Sequence, residues 1–209
     1  RIRVVQGDSD RIKWGGGTGG SRSVTVQSAA TLKTVEMMVG AFQPFVATEL
    51  GVAEVRFADG SFRAPGSNRV LTLTEAADRA RAAGRKDLLS HRHEAVLKAR
   101  SFPNGCHVAE VEVDPETGKV DVVRYTVTDD FGNLMNPTLV QGQIHGGVAQ
   151  GLGQILMENG YYDENGQMLA ATFMDYAMPR ADDMPWVDFT TEPAPTEMNP
   201  LGMKGCGEA

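Results

Sequence analysis

The placement of glycine is the feature that most constrains how this chain can fold. The sequence contains 24 glycines, and many of them fall in three segments, 15–20, 142–153 and 202–207. A glycine inside a helix costs roughly 1 kcal/mol relative to alanine, so several glycines in one helix require a reason. The fold must therefore bring another backbone or a ligand close to bare backbone at these segments.

The segment 137–159 carries this pattern on a predicted helix. Asn136 and Pro137 are typical of a helix N-cap and a first helical position. At about 100° per residue, four small residues fall within about 60° of one another: Gly142, Gly146, Ala149 and Gly153. Three amides flank this stripe: Gln143, Gln150 and Gln154. The stripe fits either close backbone packing or a bulky ligand whose polar atoms the amides contact.

The first glycine segment, 15–20, satisfies the pattern GxGxxG. In a dinucleotide-binding domain this pattern lies tightly between a strand and a helix. Here nine residues separate it from a predicted strand at 2–5, so a nucleotide-binding dehydrogenase is the disfavoured alternative. A glycine loop that leads into a helix also offers N–H groups to an anion, and Arg22 adds a charged fork suited to phosphate. An ordinary glycine loop remains the other interpretation.

The segment 199–208 alternates glycines with side chains, so its backbone can approach a neighbour closely. It projects Lys204 and Glu208, four residues apart. A carboxylate on such a loop can act as a positioned general base. A glycine-rich turn with surface charges is the alternative.

Other polar groups carry weaker signals. His91 and His93 have a metal-like spacing, but Leu97 stands where a zinc protease has its second histidine. His145 is predicted to be an ordinary helix-face residue. The pairs 129–130 and 182–183 are acidic, and we expect them to be solvated in loops.

Secondary-structure signals predict an α+β fold in which hairpins pack with helices. Pro44 is expected to kink or shorten the first long helix, and the last 35 residues are expected to be mostly loop. The predicted elements are a strand at 2–5, a helix at 25–50, a hairpin of 52–57 and 61–63 around Asp59-Gly60, a helix from the N-cap Thr74 to a stop at Gly84, strands at 108–113 and 120–127, the helix at 137–159 and a turn at 163–166.

Composition excludes several classes of protein. A net charge of −7 argues against a nucleic-acid binder, which needs a basic surface. No apolar run approaches the ~18 residues of a membrane span. Cys106 and Cys206 form neither a metal-binding pair nor a disulfide framework, which fits a reducing compartment, so we expect a cytoplasmic protein. Because the chain starts at Arg1 in a strand-like run and ends in a glycine loop, we expect a piece of a longer protein.

Three segments taken together, 17–23, 141–153 and 199–208, resemble the molybdenum hydroxylases in order and spacing. This family comprises the large subunits of xanthine dehydrogenase, aldehyde oxidase and carbon monoxide dehydrogenase, and the bacterial carbon-monoxide-dehydrogenase-like branch is the most similar. The resemblance covers essentially all 209 residues. It implies that residues 1–209 are part of the C-terminal molybdopterin-binding region of a larger subunit, truncated at both ends.

The resemblance also implies roles for individual residues. Glu208 is the implied catalytic base, and no side chain is expected to ligate the molybdenum, which the cofactor itself holds. Cys206 stands where small or apolar residues are usual, and we assign it no function. The implied cofactor-binding residues are Gly19, Gly20, Ser21, Arg22, Ser23, Gln143, Lys204 and Gly205.

The chemistry implied by the family is hydroxylation of an aldehyde, a heterocycle or a related small-molecule substrate with oxygen derived from water. The implied cofactor is molybdopterin cytosine dinucleotide. A small subunit with [2Fe–2S] clusters and a medium subunit with FAD are the implied partners, in an oligomeric enzyme. The alternative is a catalytically silent fragment or paralogue that keeps the fold for subunit assembly only.

Overall fold

The computed structural model describes residues 2–97 and 99–208. The chain divides into two compact units, one of Val26–Lys98 and one of Arg1–Thr25 with Ala99–Ala209. The regular elements are α1 (Ser23–Leu50), β1 (Arg56–Ala58), β2 (Ser61–Arg63), β3 (Val70–Thr72), α2 (Leu73–Ala82), β4 (Asn104–Val113), β5 (Val120–Asp130), α3 (Pro137–Leu156) and β6 (Val187–Thr191), with short 3₁₀ turns at Lys86–Leu88 and Ala181–Asp183. This mixture of small sheets and helices confirms the predicted α+β class.

The unit of Val26–Lys98 contains an antiparallel sheet of β1, β2 and β3. Asp59 and Gly60 join β1 to β2 with φ of 50° and 71°, the left-handed values that a tight hairpin turn requires. The hairpin at this position is confirmed, although β1 is shorter than predicted. The core of the unit includes Phe42, Val46 and Phe62, each at most 2% exposed. α1 continues through Pro44 to Leu50, so Pro44 does not shorten the helix, and the alternative, a kink at Pro44, stays a prediction.

α2 begins two residues earlier than predicted. Its N-cap is Thr72, whose hydroxyl accepts the Glu75 N–H at 3.2 Å while the Glu75 carboxylate accepts the Thr72 N–H at 2.9 Å. The prediction of Thr74 as N-cap is wrong because β3, which we did not predict, runs directly into the helix. The stop at Gly84 is confirmed: it has φ of 71° and donates to the Arg81 carbonyl at 3.1 Å, which satisfies an end carbonyl.

The other unit is built on a sheet in which β5 lies between β4 and β6. β4 and β5 pair antiparallel with Gly105 opposite Asp129, whereas β6 pairs parallel to β5. The β4–β5 hairpin confirms the prediction. The prediction of loop over the last 35 residues missed β6, whose five residues form a strand by pairing with β5. Residues 2–5 form no strand, so that prediction is wrong and segment 15–20 lacks the strand that a dinucleotide-binding fold needs.

α3 packs on this sheet through its apolar face. Ile144 and Val127 are fully buried, and they belong to one core cluster with Phe131, Val140, Val148, Leu152 and Val187. The Asn136 side chain accepts the Leu139 N–H at 3.2 Å, which confirms the N-cap. The helix ends at Leu156 rather than at 159 because the next residue, Met157, leaves helical backbone angles with φ of −147°.

Two smaller features complete the fold. Gly166, with φ of 80°, donates to the Asp163 carbonyl at 3.0 Å, which confirms the turn at 163–166. Across the residues that the structure describes, no helix combines the length and the apolar character needed to cross a bilayer.

Candidate functional site

The first and third glycine segments meet at Ser21. Ser21 has φ of 48° and follows Gly20, whose φ is 66°, so the loop turns sharply in the left-handed region just before α1. The Ser21 hydroxyl accepts the Gly207 N–H at 3.0 Å and donates to Oε2 of Glu208 at 2.5 Å. One serine therefore fixes both the backbone and the carboxylate at the end of the 199–208 loop.

The glycines of the 199–208 loop make this contact possible. A Cβ at Gly205 would lie 2.9 Å from Cβ of Ser21, and a Cβ at Gly207 would lie 2.3 Å from its Oγ. Either side chain would push the two loops apart. The close approach predicted from the glycine spacing is thus confirmed at both positions, and the neighbour is the chain's own Ser21 loop.

Lys204 anchors the same loop to the end of β5. Its ammonium pairs with the Asp130 carboxylate, and its N–H donates to the Phe131 carbonyl at 2.8 Å. The two charged side chains are only 11% and 13% exposed. Asp130 Oδ1 also accepts the N–H groups of Gly132 and Ala194, both at 2.9 Å. The predicted role of Lys204 toward a cofactor stays a prediction, while its structural role here is to position the loop.

The acidic pair 129–130 differs from the prediction that it is solvated in a loop. Both residues end β5, and Asp129 is 4% exposed. Burial alone would raise the pKa of Asp130. The hydrogen bonds from Lys204, Ala194 and Gly132, with the charge of Lys204, outweigh burial and hold this pKa below its ordinary value of 3.8. Sequence reasoning missed Asp130 because its partners lie far along the chain.

Replacing Asp130 with Asn is expected to lower the free energy of unfolding by about 3 kcal/mol, because it leaves the Lys204 ammonium buried without its countercharge. This stabilisation is complete above the unfolded carboxyl pKa of about 4 and is lost as pH falls through the lower folded-state pKa. Urea denaturation of the chain at pH 7 and at acidic pH measures both effects.

Asp188→Asn is the control for this prediction, since the ion pair of Asp188 with Arg124 is exposed and should contribute less than about 1 kcal/mol. Equal losses of unfolding free energy in the two variants at pH 7 would contradict the role of the Lys204–Asp130 pair in anchoring the loop.

Asn199 shapes the start of the loop and was also missed. It is 7% exposed, and its Oδ1 accepts the N–H groups of Leu201 and Met203 at 3.2 and 3.1 Å, while its Nδ2 donates to the Met203 carbonyl at 2.7 Å. The dipeptide Asn199-Pro200 is a turn signal that could have identified this residue.

The small-residue stripe of α3 divides into two parts. A Cβ at Gly153 would lie 2.8 Å from the Pro179 ring, so close packing explains that end. At Gly142 and Gly146, by contrast, an added Cβ would meet no atom of the described residues within 4 Å, apart from the neighbouring helix backbone. This end of the stripe therefore presents bare backbone to open space. Gln143 flanks the open part, and its Nε2 would lie 3.7 Å from a Cβ on Gly207. The amide is thereby brought beside the Glu208 loop.

The remaining predicted residues lie on the loop before α1. Gly19 and Gly20 also face open space. Arg22 is exposed, and its guanidinium donates to the Gly17 carbonyl at 3.4 Å. The hydroxyls of Ser23 and Thr18 lie 2.5 Å apart. Together with Ser21 and Gln143, these residues offer N–H, hydroxyl, amide and guanidinium groups. Such donors suit phosphate and heterocyclic polar atoms.

The cysteine and histidine candidates contribute no built metal site. Cys206 packs against the core cluster beneath α3, and burial followed by the charge of Glu208 raises the pKa of its thiol. His91 lies with Nε2 3.0 Å from the Leu88 carbonyl. Within residues 2–97 and 99–208, no group of three His, Cys, Asp or Glu side chains is placed to hold a metal ion.

Comparison with known proteins identifies one family. Residues 1–185 match the family described as molybdopterin cofactor-binding domain. The chain is 34% identical to the gamma subunit of the 6-hydroxypseudooxynicotine dehydrogenase complex of Paenarthrobacter nicotinovorans, over 99% of this chain and 27% of that protein. It is 30% identical to the carbon monoxide dehydrogenase large chain of Afipia carboxidovorans, over 100% of this chain and 26% of that protein. The chain thus spans about a quarter of the length of these relatives.

Solved structures show the same likeness. The Cu,Mo-CO dehydrogenase matches with a TM-score of 0.81 and 28% identity over 96% of this chain and 26% of that chain. Quinoline 2-oxidoreductase from Pseudomonas putida 86 matches with a TM-score of 0.74 and 28% identity over 92% of this chain and 26% of that chain. Both likenesses extend over nearly all of the fold described above.

Proposed function

Because this chain belongs to the molybdopterin cofactor-binding domain family of the molybdenum hydroxylases, we propose that it is part of the C-terminal region of a large subunit that hydroxylates an aldehyde, a heterocycle or a related small molecule with oxygen derived from water. The observation that carries this proposal is the Glu208 carboxylate, which Ser21 holds at 2.5 Å beside the bare backbone of two glycine segments.

The residues around Glu208 fit a large cofactor. The Cβ positions of Gly19, Gly20, Gly142 and Gly146 face open space, so a flat, bulky group can approach the backbone there. Gly20, Ser21, Arg22, Ser23 and Gln143 would supply donors to its phosphate and ring atoms. Gly205 would support it through the loop backbone, and Lys204 would hold that loop in place.

Glu208 is the proposed general base of this site. When bound, the molybdenum cofactor supplies the oxygen that is transferred and accepts the electrons of the oxidation. Ser21 donates to Oε2 of Glu208 and thereby orients the carboxylate, which leaves Oε1 to take up the proton. The pairing of Lys204 with Asp130 keeps the loop from moving as this charge is neutralised.

The proposed assembly follows from the relatives. One is a subunit of a dehydrogenase complex and another is a large chain. From the resemblance to the molybdenum hydroxylases we further propose that partner subunits carry [2Fe–2S] clusters and FAD, and that the cofactor form is molybdopterin cytosine dinucleotide. The intact assembly can be purified and analysed to test these proposals. Molybdenum and released cytidine monophosphate report the cofactor form, iron reports the clusters, and flavin reports FAD. Absence of molybdenum from an assembly that oxidises substrate would refute the proposal.

The chain by itself is expected to retain far less than one molybdenum atom per molecule and to oxidise no substrate. The reason is that the bare backbone at Gly142 and Gly146 faces open space, so the other contacts to the cofactor must come from the rest of the large subunit. Metal analysis of the purified chain, with the intact subunit as control, measures this. Stoichiometric molybdenum in the chain alone would contradict the proposed division of the site.

A further inference from the structure

A partly open cavity of about 170 Å³ lies beside Glu208. Its lining joins the 199–208 loop, through Cys206 and Glu208, to the start of β4 and the end of β5, through His107 and Asp129. Since a water molecule occupies about 30 Å³ of liquid volume, the cavity has room for a few waters. It therefore connects the proposed base to a second set of ionisable side chains that the proposed function does not use.

Asp129 presents an unsatisfied oxygen in this region. Its side chain is 5% exposed, and its Oδ1 lies 3.3 Å from Nε2 of His107. Its Oδ2 is buried and has no hydrogen-bond partner among the residues that the structure describes. A buried acceptor left without a hydrogen bond is destabilising, and more so when it is charged. Asp129 therefore has one carboxylate oxygen beside His107 and a second whose hydrogen-bonding capacity no described residue satisfies.

The strand pair is shaped to accept this carboxylate. Gly105 lies opposite Asp129 in the β4–β5 register, and a Cβ at Gly105 would lie 1.8 Å from Oδ1 of Asp129. His107, two residues further along β4, reaches across the gap that the glycine leaves. The absence of a side chain at Gly105 is thus what lets the carboxylate and the imidazole meet.

His107 extends from this buried pair toward solvent. Its side chain is 27% exposed, and its Nδ1 lies 3.3 Å from the Tyr125 hydroxyl. An imidazole can accept a proton at one ring nitrogen and donate one from the other. The path therefore runs from the Glu208 carboxylate through the cavity to the buried Asp129 carboxylate and the His107 imidazole, and from there to solvent.

We propose that His107 and Asp129 carry away the proton that Glu208 takes up. This inference rests on the proposed function of Glu208. The Glu208 O–H bond breaks as a cavity water takes the proton, and a proton passes from that water to His107. The resulting imidazolium is stabilised by the Asp129 carboxylate and then loses a proton to bulk water, so that Glu208 is again a carboxylate. In the intact subunit the cofactor would cover the exposed side of Glu208, which leaves the cavity as the exit.

The test compares proton release with electron transfer in the intact enzyme. Substrate is mixed rapidly with enzyme in weak buffer, an indicator dye reports the released proton, and bleaching of the iron–sulfur and flavin absorbance reports reduction. In the wild type the two signals should keep pace. In His107→Gln, which keeps a polar side chain but cannot take up a proton, bleaching in the first turnover should be unchanged. Proton release and steady-state turnover should each slow at least about tenfold.

His93→Gln is the matched control, since His93 is exposed and does not line the cavity; it should behave as the wild type. Proton release that keeps pace with bleaching in His107→Gln would overturn the proposal, and so would slowed bleaching at full molybdenum content. If the variant loses molybdenum, wild-type enzyme in heavy water decides the question. The relay requires a larger isotope effect on steady-state turnover than on first-turnover bleaching, and equal effects would overturn it. Normal bleaching in Glu208→Gln would instead refute the function of Glu208 itself.

Discussion

Replacing Glu208 with Gln in the intact large subunit is expected to slow reduction of the enzyme by its substrate about 10²- to 10⁴-fold, the usual loss when a general base is removed. Glutamine keeps the size of the side chain and one acceptor oxygen, so Ser21 can still donate to it. Its amide cannot take up the proton that the carboxylate of Glu208 would accept. Cofactor content and folding should therefore stay near the wild-type level while the reaction nearly stops.

Bleaching of the visible absorbance, driven by substrate and then by dithionite, separates chemistry from electron transfer in this variant. Dithionite should still reduce Glu208→Gln at the wild-type rate because the electron carriers are untouched. Glu197→Gln makes the same chemical change at an exposed glutamate close in sequence and should reduce normally. Reduction of Glu208→Gln by substrate at the wild-type rate would show that Glu208 is not the base.

Replacing Gly146 with Val is expected to remove most of the molybdenum from the intact subunit while leaving the isolated chain stable. A side chain at Gly146 meets no described atom within 4 Å outside its own helix turn, and valine is a better helix former than glycine by a few tenths of a kcal/mol. The chain alone should thus melt no lower than the wild type. In the subunit, a branched side chain would stand where we expect the cofactor to approach, and overpacking there costs about 1–3 kcal/mol.

Gly151→Val provides the matched control for this prediction. Gly151 lies in the same helix and is also exposed with open space around its Cβ position, but it points about 140° away from Gly146 at 100° per residue. Molybdenum analysis of the two subunits and thermal melting of the two chains distinguish a local effect from a general one. Equal molybdenum in both variants would mean that the bare stripe does not face the cofactor.

Local signals in the sequence were sufficient where neighbouring residues determine the structure. Asn136 caps α3, Asp59 and Gly60 turn the first hairpin, and Gly84 follows the C-cap and stops α2. Each depends on a backbone angle or a side-chain bond within a few residues. The family and its three glycine segments were likewise identifiable, because the order of those segments is itself a property of the chain.

Local signals failed where pairing with a distant segment decides the outcome. Val187–Thr191 becomes a strand by aligning with β5, while residues 2–5 find no partner strand and form none. The unpredicted strand β3 also moved the N-cap of α2 from Thr74 to Thr72. A short strand is stabilised by the ladder that it joins, and its own residues do not specify that ladder.

The candidate site divides in the same way. Ser21, Gly205 and Glu208 were all predicted from their motifs, but the bond between Ser21 and Glu208 spans 187 residues and that between Lys204 and Asp130 spans 74. His107 carried no signal for a site and Asp129 was expected to be solvated, since the two meet only through the β4–β5 register opposite Gly105. The sequence by itself determined which side chains are available. The tertiary structure decided which of them touch, because sheet register and loop packing bring together atoms that are remote along the chain.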